Sequence, residues 1–291
     1  MIYVVIPVYN RIAYTESCLQ CLRRQTYPEL LPIVVDDGST DGTSELIAEK
    51  YPEVEVIRGR GDWYWTGSAY RGVERALALS RSDQDYILML NDDLTFDSDL
   101  IERLVAFCEK HARSVVQALG SWSDQRNRIQ YAGRRIHHWT AGHEATHRGE
   151  ARDSFKPDYA VLSDVLTGRG VLFPIQVFKE VGNYDLRIIH RGDPEFTKRA
   201  SKAGWSLWVY FGAVVYSYPV EGKGNINERA NFKLKDIKEY FFGALSSAHL
   251  PTMWRNARTY TDSFFQAMIF FICHFIRMLF HFIVRLKLHG D

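Results

Sequence analysis

Cysteine is scarce. The four in 291 residues, at positions 18, 21, 108 and 273, set out no disulfide framework, and Cys18-x-x-Cys21 lacks the second pair that a zinc site needs. Both fit on the first helix, packed in a reducing compartment. Charge of one sign is missing too. With 36 basic against 35 acidic residues the net charge is +1, so there is no global basic field for nucleic acid and an anionic partner must meet a local patch. The N-terminus enters an apolar strand without a basic leader or a small-residue cleavage site, which predicts a cytoplasmic catalytic part. No G-x-G-x-x-G opens the first helix, and there is no solenoid-like repeat or low-complexity segment.

What is present is alternation. Apolar, β-branched runs at Ile2 to Val8, Leu31 to Val35, Val54 to Arg58 and Tyr86 to Leu90 are separated by helical patterns. Those patterns run from about Thr15 to Gln25, Thr43 to Lys50 and Gly67 to Ser80. This is βαβ wiring and predicts an α/β fold with a mostly parallel twisted sheet. Residues 1–95 read as a nucleotide-binding half. A helix from Ser98 to Lys110, mixed strands and a polar loop make 96–225 an acceptor-binding half. Glu221-Gly222-Lys223-Gly224-Asn225 breaks the pattern, placing a boundary near 225, and 226–291 reads as a helical extension.

Two strand ends carry acids. Val34-Val35 runs into Asp36-Asp37-Gly38-Ser39-Thr40-Asp41-Gly42, and Tyr86 to Leu90 runs into Asn91-Asp92-Asp93. In open α/β sheets ligands bind outside the carboxyl ends of the strands, and these turns can bend sharply while freeing backbone N–H groups. A carboxylate at 36 or 37 can accept from a pyrimidine N3–H or from ribose hydroxyls, while clustered acids suit a divalent cation and a diphosphate. Helix capping and turn formation are the competing reading of both clusters.

These runs, with Ile6-Pro7-Val8-Tyr9-Asn10-Arg11 and Gly192-Asp193-Pro194-Glu195-Phe196, resemble the ordered motifs of family 2 inverting glycosyltransferases. The resemblance covers roughly residues 1 to 220 and implies the GT-A fold, a UDP- or dTDP-sugar donor and Mg²⁺ or Mn²⁺. It implies nucleotide-binding roles for Pro7, Tyr9, Asn10, Arg11, Asp36, Asp37 and Asp92, and metal roles for Asp93 and Asn91, the latter standing where the D-x-D motif has its first carboxylate. Asp193 becomes the catalytic base. Glu195 is its substitute in a shifted register, and Arg199 is a holder of carboxylate or phosphate. Asp193 before Pro194 is also an ordinary helix opening, which sets the carboxylate's position without preventing catalysis.

Thr167-Gly168-Arg169-Gly170 resembles the family's glycine-containing segment beneath the donor sugar. The aromatic segment Trp63-Tyr64-Trp65-Thr66-Gly67 either stacks on sugar or fills a core edge. Two departures weaken the metal set: no histidine follows the last core strand at Val214 to Tyr218, and the amide of Asn91 binds hard cations less strongly than a carboxylate. His143-Glu144-Ala145-Thr146-His147 matches H-E-x-x-H, but Gly142, Gly149 and polar flanks argue for a flexible loop instead of the long helix that a zinc protease needs.

From Ser263 to Arg285 apolar residues dominate, while Gln266, His274, Arg277, His281 and Arg285 draw a polar stripe at helical spacing. A spanning helix would have to hide Arg277 near mid-membrane, so the pattern predicts a helix lying in the interface, with Arg255, Arg258, Arg277, Arg285 and Lys287 at anionic headgroups. Packing on the catalytic domain or on a second copy of the chain is the alternative. Together these features predict transfer of a sugar to a polyprenyl-linked glycan of a bacterial O-antigen or capsule, and the loose similarity of the tryptophan-rich segment to the family implies rhamnose or galactofuranose as donor sugars. The enzyme would sit on the inner face of the plasma membrane. A non-catalytic nucleotide-sugar-binding scaffold and a polyprenyl-phosphate sugar transferase are the rival readings.

Overall fold

A computed structural model describes residues 1–218 and 232–287, and these gather into two compact units. The first comprises Met1–Arg135, Ala145–Leu186 and residues 191–218; the second comprises Ile136–Glu144, Arg187–His190 and residues 232–287. The boundary expected near 225 lies outside the described residues. The second unit is discontinuous in sequence, which a single cut cannot represent.

In the first unit β1 (Ile2–Val8), β2 (Leu30–Asp36), β3 (Glu55–Arg58) and β4 (Tyr86–Met89) alternate with α1 (Ile12–Arg23), α2 (Thr43–Lys50) and α3 (Tyr64–Leu79). Strand β1 lies between β2 and β4, parallel to both, and β3 extends the set beyond β2. All seven residues of β1 are buried, as expected for a central parallel strand covered on both faces. Further along come β5 (Leu94–Phe96), α4 (Leu100–Lys110), β6 (Ser114–Trp122), β7 (Ile129–Tyr131), β8 (Arg134–His137) and β9 (Gly142–Ala145). They are followed by β10 (Ala160–Leu162), β11 (Val171–Pro174), α5 (Ile175–Val181), α6 (Asp193–Lys202) and β12 (Ser206–Ser217).

The main sheet runs β10-β12-β6-β11-β4-β1-β2-β3, with β5 on β12 and β7 on β6. Strand β11 is antiparallel to both β4 and β6, so β6, its parallel neighbour β12 and the four strands from β4 to β3 all point one way. The two expected halves therefore share one sheet, and their acid-bearing turns lie at the same edge of it.

Two helix boundaries differ from the sequence pattern, each for a reason remote in the chain. Helix α1 starts at Ile12 because Asp41, 29 residues later, accepts its N–H at 2.8 Å. Helix α3 starts at Tyr64 because Asp37 accepts the N–H groups of Trp63 and Tyr64. The H-E-x-x-H segment is neither a helix nor a free loop: its first residues lie on β9, which pairs with β8.

The second unit contains α7 (Ile237–Phe242), α8 (Leu250–Tyr260) and α9 (Phe264–Lys287), packed around Phe232, Tyr240, Phe241, Met253 and Phe282. Helix α9 has three faces. Phe271, Phe275, Met278 and Phe282 pack on that cluster. The polar stripe turns inward: Arg277 donates to the carbonyls of Ala141 and Thr140, and His281 meets the Tyr240 hydroxyl at 3.0 Å. The third face is apolar and exposed, with Phe265 at 65%, Ile276 at 58% and Phe280 at 66%. Arg277 is thus not a headgroup contact. Arg258 and Arg285 lie over the rings of Phe264 and Phe232, Arg255 donates to the Pro251 carbonyl, and the Lys287 side chain lies outside the described residues.

Helix α3 is held on the sheet by close approach. A Cβ at Gly72 would overlap Val5 Cγ1 and come within 3.1 Å of Val35 Cγ2. Gly72→Ala should therefore destabilise the first unit by about 1–3 kcal/mol through overpacking, and Val5→Ala in the same chain should recover part of that loss in chemical denaturation.

Candidate active site

The site is built where β2 and β4 end. Asp36 is the last residue of β2; its carboxylate accepts from the Ser39 N–H at 2.8 Å and from the Ser44 hydroxyl. Asp37 accepts the N–H groups of Gly61, Trp63 and Tyr64 at 3.0, 2.9 and 2.8 Å. Both carboxylates are buried and tie loops together, so these oxygens also carry the turn-forming role. Gly38, at φ +79°, lets the two loops meet: a Cβ there would stand 2.9 Å from the Gly61 nitrogen. In the opposite turn Asn10, at φ +51°, donates its N–H to Ser39 and accepts the Thr40 N–H, while Tyr9 projects with 55% of its surface exposed. Pro7 lies within β1, paired with Val35.

After β4 the chain delivers Asn91, Asp92 and Asp93. One Arg11 nitrogen spans both acids, 3.3 Å from Asp92 Oδ1 and 3.4 Å from Asp93 Oδ2. The other oxygen of each carboxylate, Asp92 Oδ2 and Asp93 Oδ1, is buried with no hydrogen-bond partner. Burial pushes Asp92 up to about 7, against the pull of Arg11. Two acids with unpaired buried oxygens are under-supplied with positive charge, which suits a divalent cation completed by diphosphate oxygens and water. Asn91 already has a partner. Its Oδ1 accepts the Trp65 indole N–H at 3.1 Å, and an indole nitrogen can only donate.

Asp193 opens α6. Its Oδ2 accepts the Gly168 N–H at 2.8 Å, and burial pushes its carboxyl up despite that bond and the nearby charges of Arg191 and Arg169. A carboxylate raised by desolvation is a better proton acceptor near neutral pH than an exposed one. Glu195, by contrast, is buried and paired with Arg199 Nε at 3.0 Å, and the Arg199 fork also donates to the carbonyls of Val181 and Asn183. This pair is a brace for the start of α6. Thr167 is held at both its N–H and its hydroxyl by Gln117, buried in the middle of β6. A polar residue inside Val115-Val116-Gln117-Ala118-Leu119 is the signal that could have flagged it.

The aromatic segment divides. Arg71 lies over Trp63 at 3.9 Å, and a Cβ at Gly67 would stand 3.0 Å from Trp63 Cβ. Trp65 packs against Gly168 and, edge-on at 5.7 Å, against Tyr184. Among the described residues no three His, Cys, Asp or Glu side chains cluster with metal-ligand geometry.

Removing Arg199 would leave Glu195 buried without its guanidinium. Arg199→Met should cost about 3 kcal/mol or more, measured as a lowered denaturation midpoint, and Glu195→Gln combined with it should recover part of the loss.

Comparison with known proteins places the fold and the family. Residues 3–169 match the family described as Glycosyl transferase family 2. The succinoglycan biosynthesis protein ExoA of Rhizobium meliloti is 27% identical over 232 residues, which cover 74% of this chain and 62% of that protein. This chain therefore spans less than two thirds of that relative's length. Among solved structures, S. aureus TarS 1–349 in complex with UDP-GlcNAc superposes with a TM-score of 0.58 at 14% identity, covering 99% of this chain and 74% of the other. GalNAc-T7 with UDP, GalNAc and Mn²⁺ gives 0.60 at 15%, covering 99% and 57%. The fold is GT-A. With more than half of its length matched by the family, the chain belongs to glycosyl transferase family 2.

Proposed function

We propose that this chain is an inverting glycosyltransferase that moves a sugar from a UDP- or dTDP-sugar to a hydroxyl of a polyprenyl-linked glycan in bacterial surface polysaccharide synthesis, O-antigen or capsule. The observation that carries the reading is the desolvated carboxylate of Asp193, fixed by the Gly168 amide at the sheet edge that also holds Asp92 and Asp93. Asp193 lies beyond the family-matched residues, so its geometry supports its role. The UDP complexes of the structural neighbours support the donor class, and the name of ExoA supports the polysaccharide context.

In this reading the nucleoside lies against the turn from Pro7 to Arg11 and the turn at Asp36 and Asp37, with Asp92 near the ribose. Asp93 and Asp92 would hold Mg²⁺ or Mn²⁺, which would supply positive charge against the leaving diphosphate. Asp193 takes the proton of the acceptor hydroxyl. The freed oxygen attacks the anomeric carbon as the bond to the diphosphate breaks with its electron pair, and a single in-line displacement inverts that centre.

The exposed face of α9 supports peripheral attachment to the cytoplasmic leaflet. The helix is long and apolar enough to cross a membrane, but its Arg277 is held by backbone carbonyls of its own unit, which favours lying in the interface.

Asp193→Asn should lower turnover by about 100-fold or more while calorimetric UDP affinity stays unchanged. In the unmodified chain kcat/KM should rise with pH through an apparent pKa above the ordinary carboxylate range, because the base acts only when ionised. In a panel of UDP, dTDP, GDP and CDP, UDP or dTDP should bind tightly and more so with Mn²⁺; no nucleotide binding would favour the scaffold reading. The full chain should co-sediment with vesicles of anionic phospholipid, and Ile272→Asn, Ile276→Asn and Phe280→Asn together should release it. Release that accompanies a dimer-to-monomer change without vesicles would identify a second copy as the occupant of that face.

A further inference from the structure

We propose that Trp65 is a positioning residue: its indole, anchored to Asn91, fixes the Gly168 amide that holds the catalytic carboxylate. The inference rests on the reading of Asp193 as the base. Trp65 Nε1 donates to Asn91 Oδ1 at 3.1 Å. The far edge of the same ring fills the space beside Gly168, where a Cβ would overlap it, and the Gly168 N–H donates to Asp193 Oδ2 at 2.8 Å. The next residue repeats the contact from the other side. The Thr66 hydroxyl accepts the Gly192 N–H at 3.2 Å, and a Cβ on Gly192 would stand 2.8 Å from Thr66 Cγ2. Two consecutive residues at the start of α3 thus touch the segments on both sides of Asp193.

This arrangement accounts for the amide at position 91. The indole N–H needs an acceptor, and a carboxylate there would add a third buried negative charge beside Asp92 and Asp93. Asparagine supplies the oxygen without the charge. Trp65, packed at the edge of the core, therefore also links the turn that bears the diphosphate acids to the loop that orients the base.

The test uses Trp65→Phe, which keeps a ring and deletes the donor, and Asn91→Leu, which keeps the volume and deletes the acceptor, each in the full chain. Each should lower kcat about 10- to 100-fold, with UDP affinity and donor KM unchanged, and the double variant should be no worse than the poorer single. The acid limb of the pH profile should move to higher pH, because the Gly168 N–H stabilises the ionised form of Asp193. The other groups facing Asp193, namely Arg169 before β11, Arg191 before α6, Tyr131 on β7 and Tyr184 after α5, are unaltered. An unchanged kcat and acid limb in both variants overturns the role, as does a loss of UDP affinity equal to the loss of kcat. Asp193→Asn is run alongside. If that variant is inactive while Trp65→Phe is normal, only the role of Trp65 falls; if it is active, the base and its positioning residue fall together.

Discussion

One carboxylate sets the geometry on which the site depends. Asp37 gathers three backbone N–H groups from a loop more than twenty residues later in the chain, two of them at the opening of α3. Helix openings leave N–H groups without intrahelical partners, and an anion there is favoured by both the bonds and the helix dipole. Once that loop is pinned beside the end of β2, the first turn of α3 is fixed, and with it the placement of Trp65 and Thr66. The carboxylate that looks like a ligand for a nucleotide is in this structure an organiser of backbone.

The chemistry then depends on a contrast among buried acids. Glu195 has a guanidinium of its own, and Asp36 and Asp37 have backbone or hydroxyl donors. Asp92 and Asp93 share one guanidinium nitrogen and keep unpaired oxygens, and Asp193, though it takes the Gly168 amide, is pushed up by desolvation. The satisfied acids are architecture. Those left short of positive charge or donors are the ones whose properties change when a cation, a diphosphate or a hydroxyl arrives.

Much of the parallel half was legible because its signals are local: β-branched runs of strand length, acids and glycine at their ends, and helical spacing between them. The strand ends that carry the acids were legible for the same reason. What local reading missed is carried by long-range bonds. Nothing near Ile12 announces that Asp41 will cap it, and nothing near Asn91 announces an indole as its partner. Gln117 carried a signal, a polar side chain inside an apolar run, but its partner in the 167–169 loop is fifty residues away. Arg199 holds a carboxylate, as its place in the motif implies, and that carboxylate is the buried Glu195 four residues earlier.

The three-part origin of the second unit constrains the order in which the chain can acquire its structure. Arg277 closes onto carbonyls 136 and 137 residues earlier, so the hairpin at residues 136–144 has no partner for those oxygens until the last helix exists. During synthesis the sheet-bearing unit can condense from sequence already emerged, whereas the second unit must await the final segment of the chain. Contacts of such separation form late and slowly. Once α9 emerges, its inner face meets Phe232, Tyr240, Phe241 and Met253, which precede it in the chain, whereas chain growth beside a bilayer would give its exposed apolar face a surface to cover it.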